Sequence, residues 1–139
     1  MFDGFVFDHN VITAQSIWEK IANHLLQQGK QSLSGKTGTC AYHGNDGLKC
    51  AIGVLIPENQ YSPNIEGQEV SVLLTRYYCP YALLAVQHHL ALLTNLQRIH
   101  DDDFDNRGRK NFRRHWYIEL VNLGRRLGLD TKEIEKKWG

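Results

Sequence analysis

Cys40 and Cys50 frame the residues of this chain whose types and spacing could do chemistry. Cys40-Ala41-Tyr42-His43 is a Cys-x-x-His step, and a turn at Gly44-Asn45-Asp46-Gly47 would return Cys50 to the side of Cys40. Thiolates and imidazoles at that spacing are zinc ligands, and zinc wants four of them in a tetrahedron. Cys40, His43 and Cys50 supply three. The fourth would have to come from Cys79 or another histidine, so the set is incomplete. The competing reading is favoured: the cysteines pack as small apolar residues. No cofactor is expected.

The same cysteines allow thiol chemistry. Cys50 or Cys40 would be the nucleophile, His100 the base that activates it, and Asp101 the group that orients the base. A thiolate needs a nearby base and a positive environment. Lys49 adjoins Cys50, although neighbours along a strand point to opposite faces. Nothing in the sequence fixes the distance from Cys50 to His100. A packed cysteine and a surface histidine are therefore preferred, and the chain reads as leaning away from enzyme activity.

Two further metal readings fail on geometry. His88-His89 and His100-Asp101 carry suitable ligands, but eleven residues of unbroken helix would separate His89 from His100 by ~16 Å. The acidic run Asp101–Asp105 suggests a calcium loop. Its sixth and twelfth positions are Asn106 and Phe112, where glycine and glutamate belong.

The strongest charge asymmetry lies further on. Seven positive charges face one acid, Glu119, across residues 107–126. Arg109, Lys110, Arg113, Arg114 and Tyr117 form the candidate binding surface. It suits an acidic protein face or nucleic-acid phosphates. A solvated face paired with the acidic loop is the ordinary alternative, and Trp116 belongs to the apolar stripe.

These residues need elements to position them. Ile17, Trp18, Ile21, Leu25 and Leu26 recur at helical spacing, with Asn10 or Thr13 as cap and Gly29 as stop, so a helix is predicted over Val11–Gln28. Phe2, Phe5 and Phe7 suit a short strand or an arm. Residues 39–56 predict a β-hairpin whose second arm turns Ile52, Val54 and Ile56 to one face. A short helix is expected over Gln68–Tyr77, a largely buried one over Tyr81–His100, and a basic amphipathic one over Arg109–Leu127. Asp130–Glu133 opens a last short helix. The fold class expected is α+β, with one hairpin or small antiparallel sheet packed against about four helices in a single domain. Trp18, Ile21, Leu25, Ile52, Val54, Leu90, Leu93, Phe112, Trp116 and Leu120 are the predicted core.

The hairpin segments carry a resemblance. Gly38-Thr39-Cys40-Ala41-Tyr42, Gly47-Leu48-Lys49-Cys50-Ala51-Ile52-Gly53, Leu55-Ile56-Pro57 and Tyr61, then Leu96-Gln97-Arg98-Ile99-His100-Asp101, resemble a group of small proteins encoded by tailed phages and prophages. The resemblance spans roughly residues 11–105. It implies a setting rather than an activity: a small cytoplasmic product in an infected or lysogenic bacterium, of a kind that binds host machinery, including defence components. The chain departs from the group at His43, where arginine is expected, and its basic C-terminal helix is longer.

Composition agrees with a globular domain. The chain has 139 residues, 42% hydrophobic and 22% charged, and a formal net charge of +1. That excludes collagen-like and low-complexity classes, and no global field demands a polyanion. The N-terminus lacks a basic segment, and no apolar run reaches the ~18 residues of a membrane span. Three cysteines in an untargeted chain suit a reducing cytosol. The leading expectation is a non-enzymatic protein that binds a host protein. A nucleic-acid binder and a cysteine- or zinc-dependent enzyme are the alternatives. No membrane partner is expected, and apolar helix faces could close a homodimer.

Overall fold

The computed structural model describes residues 12–34, 40–102 and 112–139. The phenylalanines of the first ten residues, Arg109 and Lys110 lie outside them. Six helices organise the described residues: α1 (Ala14–Gln28), α2 (Val70–Leu73), α3 (Tyr81–Leu84), α4 (Leu90–Asp101), α5 (Phe112–Arg126) and α6 (Lys132–Trp138).

Helix α1 is the axis. Thr13 caps it reciprocally with Ser16: the Ser16 N–H donates to Thr13 Oγ1 at 3.1 Å, and the Thr13 N–H donates to Ser16 Oγ at 3.0 Å. That closes two first-turn donors at once. Its apolar stripe, Ile17, Trp18, Ile21, Ala22, Leu25 and Leu26, is fully buried against α4, α5 and α6. Gly29 ends the helix at φ 72°, a left-handed conformation that glycine adopts without a Cβ penalty. The last carbonyls are covered from α5, where Arg113 Nε donates to Leu26 O at 2.7 Å.

The expected α+β class is corrected here. Of the described residues 63% are helical and 4% form bridges, and no sheet is present. What stands in place of a hairpin is a pair of isolated antiparallel bridges, Leu33↔Cys40 and His43↔Lys49. The reason is that side chains take over the backbone groups a second strand would have paired. Ser32 Oγ donates to Ala41 O and Leu48 O. Glu66 accepts the N–H groups of Tyr42 and His43 at 2.8 and 3.1 Å. Gln28 accepts the Lys49 N–H and donates to Lys49 O, imitating a strand edge. Gln97 Oε1 accepts the Ile52 N–H at 3.1 Å. With its polar groups satisfied, the backbone can turn instead of extending.

The second arm therefore coils. Gly53–Leu55 is one 3-10 turn, and Ile52, Leu55 and Ile56 are buried while Val54 is half-buried. Burial at i, i+3 and i+4 is helical spacing, where alternation had been expected. Gly53 is required by contact: a Cβ there would lie 1.8 Å from Tyr42 O.

The long helix expected over Tyr81–His100 is broken. Val86 at φ −114°, ψ 12° and His89 at φ −107°, ψ 30° leave the helical region, so α3, a 3-10 turn and α4 follow one another. Of the predicted core, Val54 and Leu90 are only partly buried, and the other eight are buried. One hydrophobic cluster includes residues of all six helices, with Leu83 contributed by the short α3. No helix among the described residues is long and apolar enough to cross a membrane.

Candidate functional site

Cys40, His100 and Asp101 meet. One ligand-type atom from each lies within 4.8 Å of the others. Helix α4 supplies His100 and Asp101 from its last turn. Cys40 is held opposite by its bridge to Leu33. The C-terminal carbonyls of α4 are covered by side chains: Gln31 Nε2 donates to His100 O at 2.9 Å, and Trp116 Nε1 donates to Ile99 O at 3.0 Å. The three residues thus sit at a fixed helix end rather than a frayed one.

The hydrogen bonds decide what the group can do. The Ser32 N–H donates to His100 Nε2 at 3.0 Å, so that nitrogen must present its lone pair. The proton therefore sits on Nδ1, which donates to Asp101 Oδ1 at 2.7 Å. Asp101 Oδ1 also accepts Gln97 Nε2 at 2.7 Å. His100 is fully buried and its ring stacks on Trp116, centroids 5.6 Å apart. Both of its nitrogens are engaged, and neither is available to Cys40 as a base. Burial pushes the Cys40 thiol up to about 12, helped by the negative charge of Asp101 and by the hydrogen bond between them. Cys40 is a protonated donor beside a carboxylate, the reverse of an activated nucleophile.

The same tautomer argues against a metal. A ligand through Nδ1 would need that proton removed while Nε2 still accepted the Ser32 N–H. Metal-bound histidines instead donate from their second nitrogen.

Cys50, the other candidate nucleophile from sequence, stands apart from this group. It is buried, accepts the Gly53 N–H at 3.3 Å, and burial pushes its thiol up to about 12. Lys49 turns away to Glu58, at 3.5 Å. His43 is not brought together with Cys40 and Cys50 in any metal-binding group among the described residues. Its Nε2–H lies 3.0 Å from both Gly53 O and Ile56 O, and its ring stacks on Tyr61 with centroids 4.2 Å apart. It is a brace for the coiled second arm.

The basic surface is thinner than its sequence. Arg113, although exposed, is committed to the Leu26 carbonyl at the end of α1, and Arg125, also exposed, pairs with Glu135 at 2.6 Å. Tyr117 packs half-buried on the core, while Arg114 and Arg126 are exposed.

A cavity of about 410 Å³ opens beside Cys40. Its floor is Cys40, Ala41, Tyr42 and Cys50, and one wall is a stripe of α4. Sequence reasoning missed two residues of this lining, Gln97 and Glu66, and also Ser32, which fixes the His100 tautomer. Gln97 had a visible signal, since it stands four residues before Asp101 and shares its helix face. Glu66, which accepts two backbone N–H groups and the Tyr61 hydroxyl at 2.6 Å, is a lone acid in an irregular segment and had none. Nor had Ser32. Comparison of the chain with protein-family models, characterised proteins and solved structures gives no match.

Proposed function

We propose that the chain is a non-enzymatic binding protein, an accessory product of the phage and prophage kind that its Cys40–Tyr61 and Leu96–Asp101 segments resemble, and that it engages a host protein. The observation that carries this reading is the commitment of Cys40, His100 and Asp101. Their residue types suit catalysis, yet His100 Nδ1 is spent on Asp101, and His100 Nε2 and the Asp101 carboxylate tie α4 to Ser32 and to the Cys40 thiol. All three cysteines are free thiols, which suits action in the bacterial cytosol.

The exposed arginines of α5 are the contact surface in this reading, with Arg114 and Arg126 at its centre. The nucleic-acid alternative draws on the same helix, but Glu135 neutralises Arg125 and the Leu26 carbonyl holds the Arg113 side chain to α1, so fewer of its guanidiniums are free to follow phosphates.

The test is capture from a bacterial lysate with three tagged forms: the parent chain, Cys40→Ser, and Arg114→Glu/Arg126→Glu. The reading expects one stoichiometric protein partner, retained by Cys40→Ser and lost with the charge reversal, each variant keeping the parent's circular dichroism. Loss of the partner with Cys40→Ser alone would overturn it in favour of thiol chemistry. A nuclease-sensitive signal that collapses with salt would overturn it in favour of nucleic acid.

A further inference from the structure

The cavity beside Cys40 is a second, separate feature, because none of its lining comes from α5. At about 410 Å³ it falls within the range of small-molecule sites. Its α4 wall presents Thr94, Gln97, Arg98 and Asp101, at i, i+3, i+4 and i+7, which is one continuous face of a helix. The other wall is the segment Glu66–Ser71 leading into α2.

The charges on these walls do not cancel. Glu66, Glu69 and Asp101 are acidic and Arg98 is basic, a balance of −3 + 1 = −2. Glu66 is satisfied by backbone and tyrosine donors. Asp101 receives only neutral donors, from His100, Gln97 and the Cys40 thiol, so its charge is oriented but not neutralised. Arg98 does not answer it: although three residues away on the same face, its guanidinium donates to the neutral Asn95 Oδ1 at 3.3 Å. Glu69 is exposed, and its side chain caps nothing at the start of α2. The same lining includes Ala41, Tyr42 and a Cys40 thiol that carries its proton.

From this juxtaposition we propose that the cavity is a binding site for a small organic cation, a primary ammonium on a short apolar body. The ammonium meets Asp101 and Glu69, and the body rests on Tyr42 and Ala41. Charged hydrogen bonds in a half-enclosed site are stronger than their surface counterparts. The site recognises rather than converts its ligand, in keeping with the proposed binding function. It does not depend on the α5 surface, so either can fail alone.

The probe is n-butylammonium, with n-butanol as its uncharged isostere, titrated into isotopically labelled protein and followed by NMR. The expected result is saturable shifts centred on the Tyr42, Cys50 and Gln97 amides with the amine. The alcohol should give none at the same concentrations. Asp101→Asn keeps an oxygen for the His100 Nδ1–H while removing the charge, and should weaken amine binding by at least about tenfold. Glu69→Gln, at an exposed position whose side chain does not cap α2, should weaken it in the same direction and guards against a folding defect. The proposal is overturned if the amine gives no saturable shifts at these amides, if butanol binds as tightly, or if Glu69→Gln and Asp101→Asn both bind the amine like the parent chain. None of these outcomes bears on host-protein capture.

Discussion

A thiol reacts through its thiolate, and the carboxylate beside Cys40 opposes that form. With Cys40 and Cys50 both held at about 12, neutral pH leaves each with a thiolate fraction roughly a thousandfold below that of an ordinary cysteine. Alkylation by iodoacetamide at neutral pH should be slower than for a model thiol by about that factor, as mass spectrometry of quenched samples would measure. Asp101→Asn should speed the Cys40 reaction, since it removes the charge that disfavours the thiolate. A fast Cys40 in the parent chain would contradict the hydrogen-bond assignment. His24 titrates with the opposite consequence for stability. Its Nε2 bonds Lys49 O at 2.8 Å, which favours the charged ring, but burial outweighs that bond and holds its pKa below 6.5, with the charges of Lys49 and Lys20 adding to the effect. A base lowered on folding binds more protons in the unfolded chain between its folded value and 6.5. Stability should therefore fall as pH drops through that window and stay lower beneath it. Replacing His24 with glutamine, which keeps a donor for Lys49 O, should flatten that part of the urea-midpoint profile. At this scale the sequence made the actors visible but not their relations. Cys40, His100 and Asp101 were candidates by type, whereas the donor that fixes the His100 tautomer is a backbone N–H at Ser32, 68 positions away, which no spacing rule reveals.

Helices were legible because their signals are local. The period of Ile17, Trp18, Ile21 and Leu25, the Thr13 cap and the Gly29 stop all operate within four residues and all act together in α1. The segment from Cys40 to Ile56 was misread because its decisive partners are distant: Gln28, Ser32, Glu66 and Gln97 replace a strand. Ile52, Val54 and Ile56 fit alternation, but Ile52, Leu55 and Ile56 fit a coil as well, and only the side-chain donors and acceptors choose between them. Two substitutions test this account. Gly53→Ala would drive a methyl into the Tyr42 carbonyl and should cost about 3 kcal/mol or more in chemical denaturation, because backbone rather than a flexible side chain must move. Arg113→Ala removes a charged donor from the last turn of α1 and should cost about 1–3 kcal/mol. A neutral result for Arg113→Ala would return that arginine to the surface-charge reading of α5.

The parts then bear on how the molecule unfolds. Two indoles tie the helices together: Trp18 Nε1 donates to Leu120 O and Trp116 Nε1 to Ile99 O, each at 3.0 Å. The first joins α1 to α5 and the second joins α5 to α4. At one end of α1, Gln28 holds Lys49. At the other, Gln15 accepts the Asp130 N–H and donates to Asp130 O, both at 2.8 Å, fixing the entry to α6. The irregular middle of the chain has no sheet of its own to stand on, so its order depends on the helices it is fastened to. Loss of α1 packing would release α4, α5, α6 and the 40–56 coil together. Unfolding should accordingly be a single transition, with tryptophan fluorescence, which reports Trp18, Trp116 and Trp138, coinciding with far-ultraviolet circular dichroism in urea. A fluorescence midpoint well below the dichroism midpoint would mean that the helices persist without the indole contacts. The middle segment, and with it the cavity, would then be an independently opening unit rather than a fixed part of the fold.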